Sequence, residues 1–118
     1  MPTVSCDPYR LVQALTYLCT YAIEATTSGS QRKKVRLLLA GRVRSLTGLD
    51  NRVFELSIGA PDSDIDPLER NHLFDGFRGL KGRSGLGLGP HLARRFVELH
   101  GGMVILGTGV TFEVTLPL

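Results

Sequence analysis

The sequence contains no tryptophan, only two cysteines, and few aromatics: three tyrosines and five phenylalanines in 118 residues. Each scarcity excludes something. Cys6 and Cys19 are too few and too far apart for a disulfide framework or a zinc site. Cys19 falls in an apolar helical pattern and reads as a small core residue. The basic runs carry no interleaved aromatics, which argues against nucleic acid as a partner. No stretch nears the roughly 18–20 consecutive apolar residues of a membrane span. The segment MPTVSCDPYR lacks the apolar run of a secretory signal. A cytoplasmic protein without a membrane span is therefore expected. Charge of either sign is modest: 14 basic against 11 acidic residues, net +3. That is a weak pointer to a polyanionic partner. There is no internal repeat and no dividing linker, so one domain of ordinary size is expected over residues 1–118.

What is present is periodic. Asp7-Pro8 suits a helix start, because Asp can cap free N–H groups and Pro fits the first turn. Leu11, Leu15, Leu18 and Ala22 then recur at helical spacing, with Val12, Cys19 and Ile23 widening the stripe. This pattern predicts a helix over 8–26. Alternation at Val35, Leu37, Leu39 and Val43 predicts a strand from Lys34 to Arg44. Turn residues 47–51 precede a second strand, Val53 to Ile58, and the pair reads as an antiparallel hairpin. A polar loop, Gly59 to Asp66, leads to a short helix from Pro67 to Phe74. Residues 76–89 hold six glycines in fourteen and read as a loop. Leu88, Leu92, Phe96 and Leu99 mark a helix from Leu88 to His100, stopped by Gly101-Gly102. Two last strands, Met103 to Leu106 and Thr111 to Leu116, flank a tight turn. The order implies an α+β two-layer sandwich, with helices on one face of a mixed, mostly antiparallel sheet.

The motifs in that order are DPYRLVQALTYLCTYAIEATTSG, LFDGF, SGLGLG, VELHGG and a closing TF-x-V-x-LPL. From about residue 7 to 118 they resemble the ATP-binding catalytic domain of sensor histidine kinases, within the GHKL ATPase superfamily. The resemblance implies a nucleotide pocket. In it, asparagines of the first helix (the N box) help hold Mg²⁺ and phosphates. An aspartate of the first glycine box accepts from the adenine amino group. The second glycine loop offers backbone N–H groups to phosphate at a helix N-terminus.

This chain departs from that pattern. Tyr17 and Tyr21 stand at the two N-box asparagine positions, and a phenol cannot replace an amide oxygen on Mg²⁺ without moving the metal. Glu24 stands where relatives often carry a base. Anchoring on Ile65 places Ala60 at the aspartate and Asp62 and Asp64 at the glycines; a shift of two would put Asp62 at the aspartate instead. Ser84, Gly85, Leu86, Gly87 and Leu88 keep the second glycine loop, and Thr111 matches a late threonine near the base.

Each of these signals has a plainer reading beside it. Gly85 and Gly87 serve either phosphate or helix–loop packing. Tyr17 and Tyr21 either plug the old nucleotide cavity or edge the core. Asp62, Asp64 and Asp66 alternate like the start of a calcium loop, but Pro67 and Leu73 stand where that loop needs Gly and Glu. Gln31 to Lys34, and Arg78, Lys81 and Arg83, are basic clusters that could meet phosphate or an acidic partner. His72, His91 and His100 lack the context of a phospho-accepting helix.

The expectation is therefore a degenerate domain without catalytic residues, cofactor or metal, and without a phosphoacceptor domain of its own. Its role would be regulatory docking in two-component signalling, on a response regulator, a phosphotransfer protein or a partner kinase, with a homodimer also open. Phe74, Phe77 and Leu80 are the candidate contact patch. The alternative is a working ATP/Mg-binding kinase domain, with Gly85, Gly87, Thr111 and Asp62 holding nucleotide. A third reading, a stand-alone kinase of the anti-sigma type, needs the same missing asparagine and aspartate.

Overall fold

A computed structural model describes residues 4–27, 36–45, 52–75 and 88–118. The elements run α1 (Pro8–Thr27), β1 (Leu38–Ser45), β2 (Arg52–Ala60), α2 (Pro67–Asn71), α3 (Leu88–Leu99), β3 (Met103–Leu106) and β4 (Val110–Pro117). Among the described strands the sheet order is β1-β2-β4-β3, and every pairing is antiparallel. The α+β sandwich is as expected. The expected parallel component of a mixed sheet is absent from the described strands.

Helix α1 starts as its sequence dictates. Asp7 Oδ1 accepts from the backbone N–H of Tyr9 at 3.0 Å and of Arg10 at 3.4 Å, satisfying donors that the helix itself cannot. Ala14, Leu18, Tyr21 and Ala22 form its buried face, the i, i+4, i+7 repeat of a helix lying on a sheet. From α3, Ala93 and Val97 join them. Opposite lie Val110, Phe112, Val114 and Leu116, alternate residues of β4, all buried. Strand register then fixes the partners on that face: Ala60 faces Val110, Ile58 faces Phe112, Leu56 faces Val114. Burial pushes the Cys19 thiol above its ordinary range, because a thiolate loses solvation there.

Two glycines permit the close approaches at the upper end of the sheet. At Gly59, φ is +152° and a Cβ would lie 2.0 Å from the Val110 carbonyl oxygen. At Gly109, φ is +61° and a Cβ would lie 2.5 Å from the Ser63 carbonyl oxygen. Any side chain at either position would clash with backbone.

The strand expected from Lys34 begins instead at Leu38, and residues 34–35 lie outside the described set. Leu39 and Val43 do share one face, but they are 72% and 41% exposed. Helix α1 lies over β2 and β4, and α3 over β3 and β4, so β1 extends past the helices and every residue of it is exposed. The short helix ends at Asn71 rather than Phe74. His72 takes a non-helical conformation there, and Phe74 turns in against the core.

Candidate functional site

The residues singled out in the sequence fall in three places. Tyr21 is central. It is 2% exposed, its ring meets Phe112 edge-on at 5.9 Å and 75°, and its hydroxyl donates to Glu69 Oε1 at 2.5 Å. Phe74 meets the same Phe112 ring at 6.1 Å. Three aromatic rings thus fill the space between α1, α2 and β4, in the edge-to-face geometry that such rings favour. Ala60, at the last position of β2, is fully buried beside this cluster's strand, opposite Val110.

The acceptor for Tyr21 comes from α2, and local rules explain its position. Asp66 caps that helix: its Oδ1 accepts from the Leu68 N–H at 2.8 Å, and Pro67 occupies the first turn. Asp66 and Glu69 have the spacing of a capping box, and the Glu69 carboxylate takes the phenol of Tyr21. The next residue, Arg70, donates to the Leu106, Gly107 and Gly109 carbonyls at 3.2, 2.7 and 3.0 Å. A helix of five residues is too short to stand alone, and these two side chains tie it to α1 and to the β3–β4 turn.

Tyr17 goes elsewhere. Four residues before Tyr21, it points at α3, where its Cβ would lie 3.3 Å from a Cβ on Gly89. Its hydroxyl accepts from Gln13 Nε2 at 2.9 Å. It lines an open groove of about 340 Å³ between α1 and α3. Thr111 lies on the sheet face opposite Phe112, since neighbours along a strand alternate. It is 3% exposed, and its Oγ1 has no hydrogen-bond partner among the described residues. On the helix-covered face at that level stands Val110. Asp62 is exposed and pairs with Arg36 at 3.0 Å; Asp64 is exposed too. Among the described residues no group of acidic, His or Cys side chains could hold a metal.

Of the suggested contact patch, Phe74 is half-buried, with the Arg94 guanidinium 5.0 Å over its ring; it belongs to the core edge rather than to an open patch. Phe77, Leu80, Gly85 and Gly87 lie outside the described residues, as do the basic clusters at 31–34 and 78–83. Sequence reasoning missed Glu69 and Arg70. The Asp66–Glu69 spacing was a signal that could have marked Glu69 as a helix-start residue, but nothing local points it at Tyr21.

At the two positions that the resemblance assigns to an asparagine and an aspartate, Tyr21 presents a ring and Ala60 a methyl group, both buried.

A family model described as "Histidine kinase-, DNA gyrase B-, and HSP90-like ATPase" matches residues 6–118. The chain is 36% identical over 115 residues to the sensor protein DivL of Caulobacter vibrioides, covering 94% of this chain and 13% of that protein. It is 30% identical over 125 residues to the adaptive-response sensory kinase SasA of a Synechococcus species, covering all of this chain and 30% of that one. The chain therefore spans less than a third of these relatives. A crystal structure of full-length ShkA in complex with AMPPNP matches with a TM-score of 0.61 at 24% identity, over 99% of this chain and 23% of that one. That likeness shows the fold. Among the described residues, no helix is long and apolar enough to cross a membrane.

Proposed function

The chain belongs to the histidine kinase-, DNA gyrase B- and HSP90-like ATPase family, and from that premise we propose that it is a degenerate member that does not hold Mg-ATP and acts by docking. Its partner would be a response regulator, a phosphotransfer protein or a partner kinase of a two-component system, in keeping with relatives that are a sensor protein and a sensory kinase.

One observation carries the reading. Tyr21 stands where the family's metal-holding asparagine is expected, and it is buried with its hydroxyl already given to Glu69. A neutral phenol already donating to a carboxylate is a poorer cation ligand than an amide oxygen, and its ring is far bulkier than the asparagine it would replace. Ala60 supports the same conclusion, because a methyl group cannot accept from an adenine amino group. The AMPPNP complex of ShkA gives the competing reading, nucleotide binding by altered contacts, its weight on Gly85, Gly87 and Thr111.

A titration with Mg-ATP and Mg-ADP separates them. Ligand at a hundred times its dissociation constant stabilises a fold by about 2.7 kcal/mol. The expected result is no change in thermal midpoint or calorimetric heat at millimolar nucleotide. A clear shift, abolished by Gly87→Asp, would overturn the docking reading in favour of an ATP-binding kinase domain.

A further inference from the structure

Of the positions that the resemblance assigns to the nucleotide pocket, the groove between α1 and α3 is lined by Tyr17 alone among the described residues. Its floor is apolar: Ala14 from α1, and Leu92, Phe96 and Leu99 from α3. Leu92 and Leu99 are 46% and 77% exposed, more than a closed helix pair leaves open. Ala14 is small, which lets a third backbone come close. Arg10 on α1 and Arg95 on α3 stand at the rim.

Neither arginine has a carboxylate partner among the described residues, whereas Arg94, next to Arg95, pairs with Glu98 at 3.7 Å, Arg36 pairs with Asp62, and Arg42 and Arg44 share Glu55. The groove's acid, Asp7, is turned to the N–H groups of α1, where the helix dipole offsets its charge. His100 donates Nδ1–H to the Phe96 carbonyl at 2.9 Å. The groove thus pairs an apolar floor with uncompensated positive charge on both helices.

We propose that the α1–α3 groove docks an amphipathic helix of a partner protein, with carboxylates flanking its apolar stripe. This deepens the docking reading and rests on it. The floor residues Leu92 and Leu99 are seven apart, roughly 10 Å along α3. That spacing suits a helix offering anchors at i, i+3 or i+4, and i+7. Charge complementarity selects the occupant: carboxylates on the visiting helix meet Arg10 on one side and Arg95 on the other. A second copy of this chain is disfavoured, since face-to-face packing would set these arginines against their own kind.

The probe is a helical peptide with leucines at i, i+4 and i+7 and flanking glutamates; its twin carries lysines in place of the glutamates. Fluorescence anisotropy measures binding to the intact chain, and amide chemical shifts locate it. The acidic peptide is expected to perturb amides of α1 and α3 and to bind more weakly in 0.5 M salt, and the lysine twin is expected to bind the groove more weakly than it does. In Arg10→Glu/Arg95→Glu, whose changes lie on exposed positions, affinity for the acidic peptide should fall about tenfold while the lysine twin gains. A peptide that perturbs only other surfaces, or binds the double variant unchanged, overturns the groove assignment. So does a dimer, seen by sedimentation, whose interface is this groove. Mg-ATP titrated in parallel tests the docking reading separately: a nucleotide shift with the peptide still in the groove removes that reading alone.

Discussion

Replacing Ala60 by aspartate is expected to unfold the domain at neutral pH, and millimolar Mg-ATP is expected not to restore it. Ala60 is fully buried, as is its cross-strand partner Val110. A carboxylate there would lose its water without gaining a known partner, at a cost of several kcal/mol. That is comparable with the whole stability of a small domain, roughly 5–15 kcal/mol. The sign with pH follows. Desolvation raises the folded-state pKa of the new carboxyl above its unfolded value of about 3.9. The penalty is therefore smallest below about pH 4 and grows as pH rises toward the folded pKa. Thermal midpoints by circular dichroism from pH 4 to 8 would trace this, with Ala60→Asn as the pH-independent control. In a domain with an open adenine pocket the restored aspartate would meet a donor. Rescue of Ala60→Asp by nucleotide would therefore sink the closed-pocket reading.

Removing the Tyr21 side chain has the second large effect. Tyr21→Ala should cost about 3–5 kcal/mol, the range for emptying a buried aromatic site. At roughly 4 °C per kcal/mol for a domain of this size, the midpoint should fall by about 12–20 °C. Tyr21→Phe keeps the ring against Phe112 and loses the bond to Glu69, about 1.5–3 kcal/mol for a hydrogen bond to a charged group. Tyr21→Asn, which puts the family's residue back, should resemble the alanine variant and acquire no affinity for Mg-ATP. Equal stability of Tyr21→Asn and the parent would show that the ring is not part of the core.

The sequence made α1, α3 and β3 readable to within a residue or so, because apolar periods mark them and their ends carry caps or glycine; in α3, though, Leu92 and Leu99 stay exposed while Ala93 and Val97 enter the core. It was less informative about β1. Alternation at Leu39 and Val43 predicted a strand, but alternation reports only which side chains share a face, not whether a helix reaches it. The identities at positions 17, 21 and 60 raised doubt about a nucleotide pocket. Their separate fates were not legible: that Tyr21 turns to the sheet and Tyr17 to α3 depends on how the helices pack, and Gly89 beside Tyr17 is part of that packing. The cationic groove was hidden for the same reason. Arg10 and Arg95 are 85 positions apart and meet at one rim only because α1 and α3 lie side by side.

The double fastening of α2 bears on the order in which the chain assembles. Glu69 reaches back 48 residues to Tyr21, and Arg70 reaches forward 36 to 39 residues to the β3–β4 turn. Contacts so distant in sequence demand that long loops close first. The five-residue helix cannot nucleate by itself, so it settles after α1 and the sheet are in place. Its bonds belong to the last step of folding. Loss of the Arg70 guanidinium, as in Arg70→Ala, should therefore quicken unfolding while leaving the folding rate nearly unchanged, a split that stopped-flow measurements across denaturant would read directly.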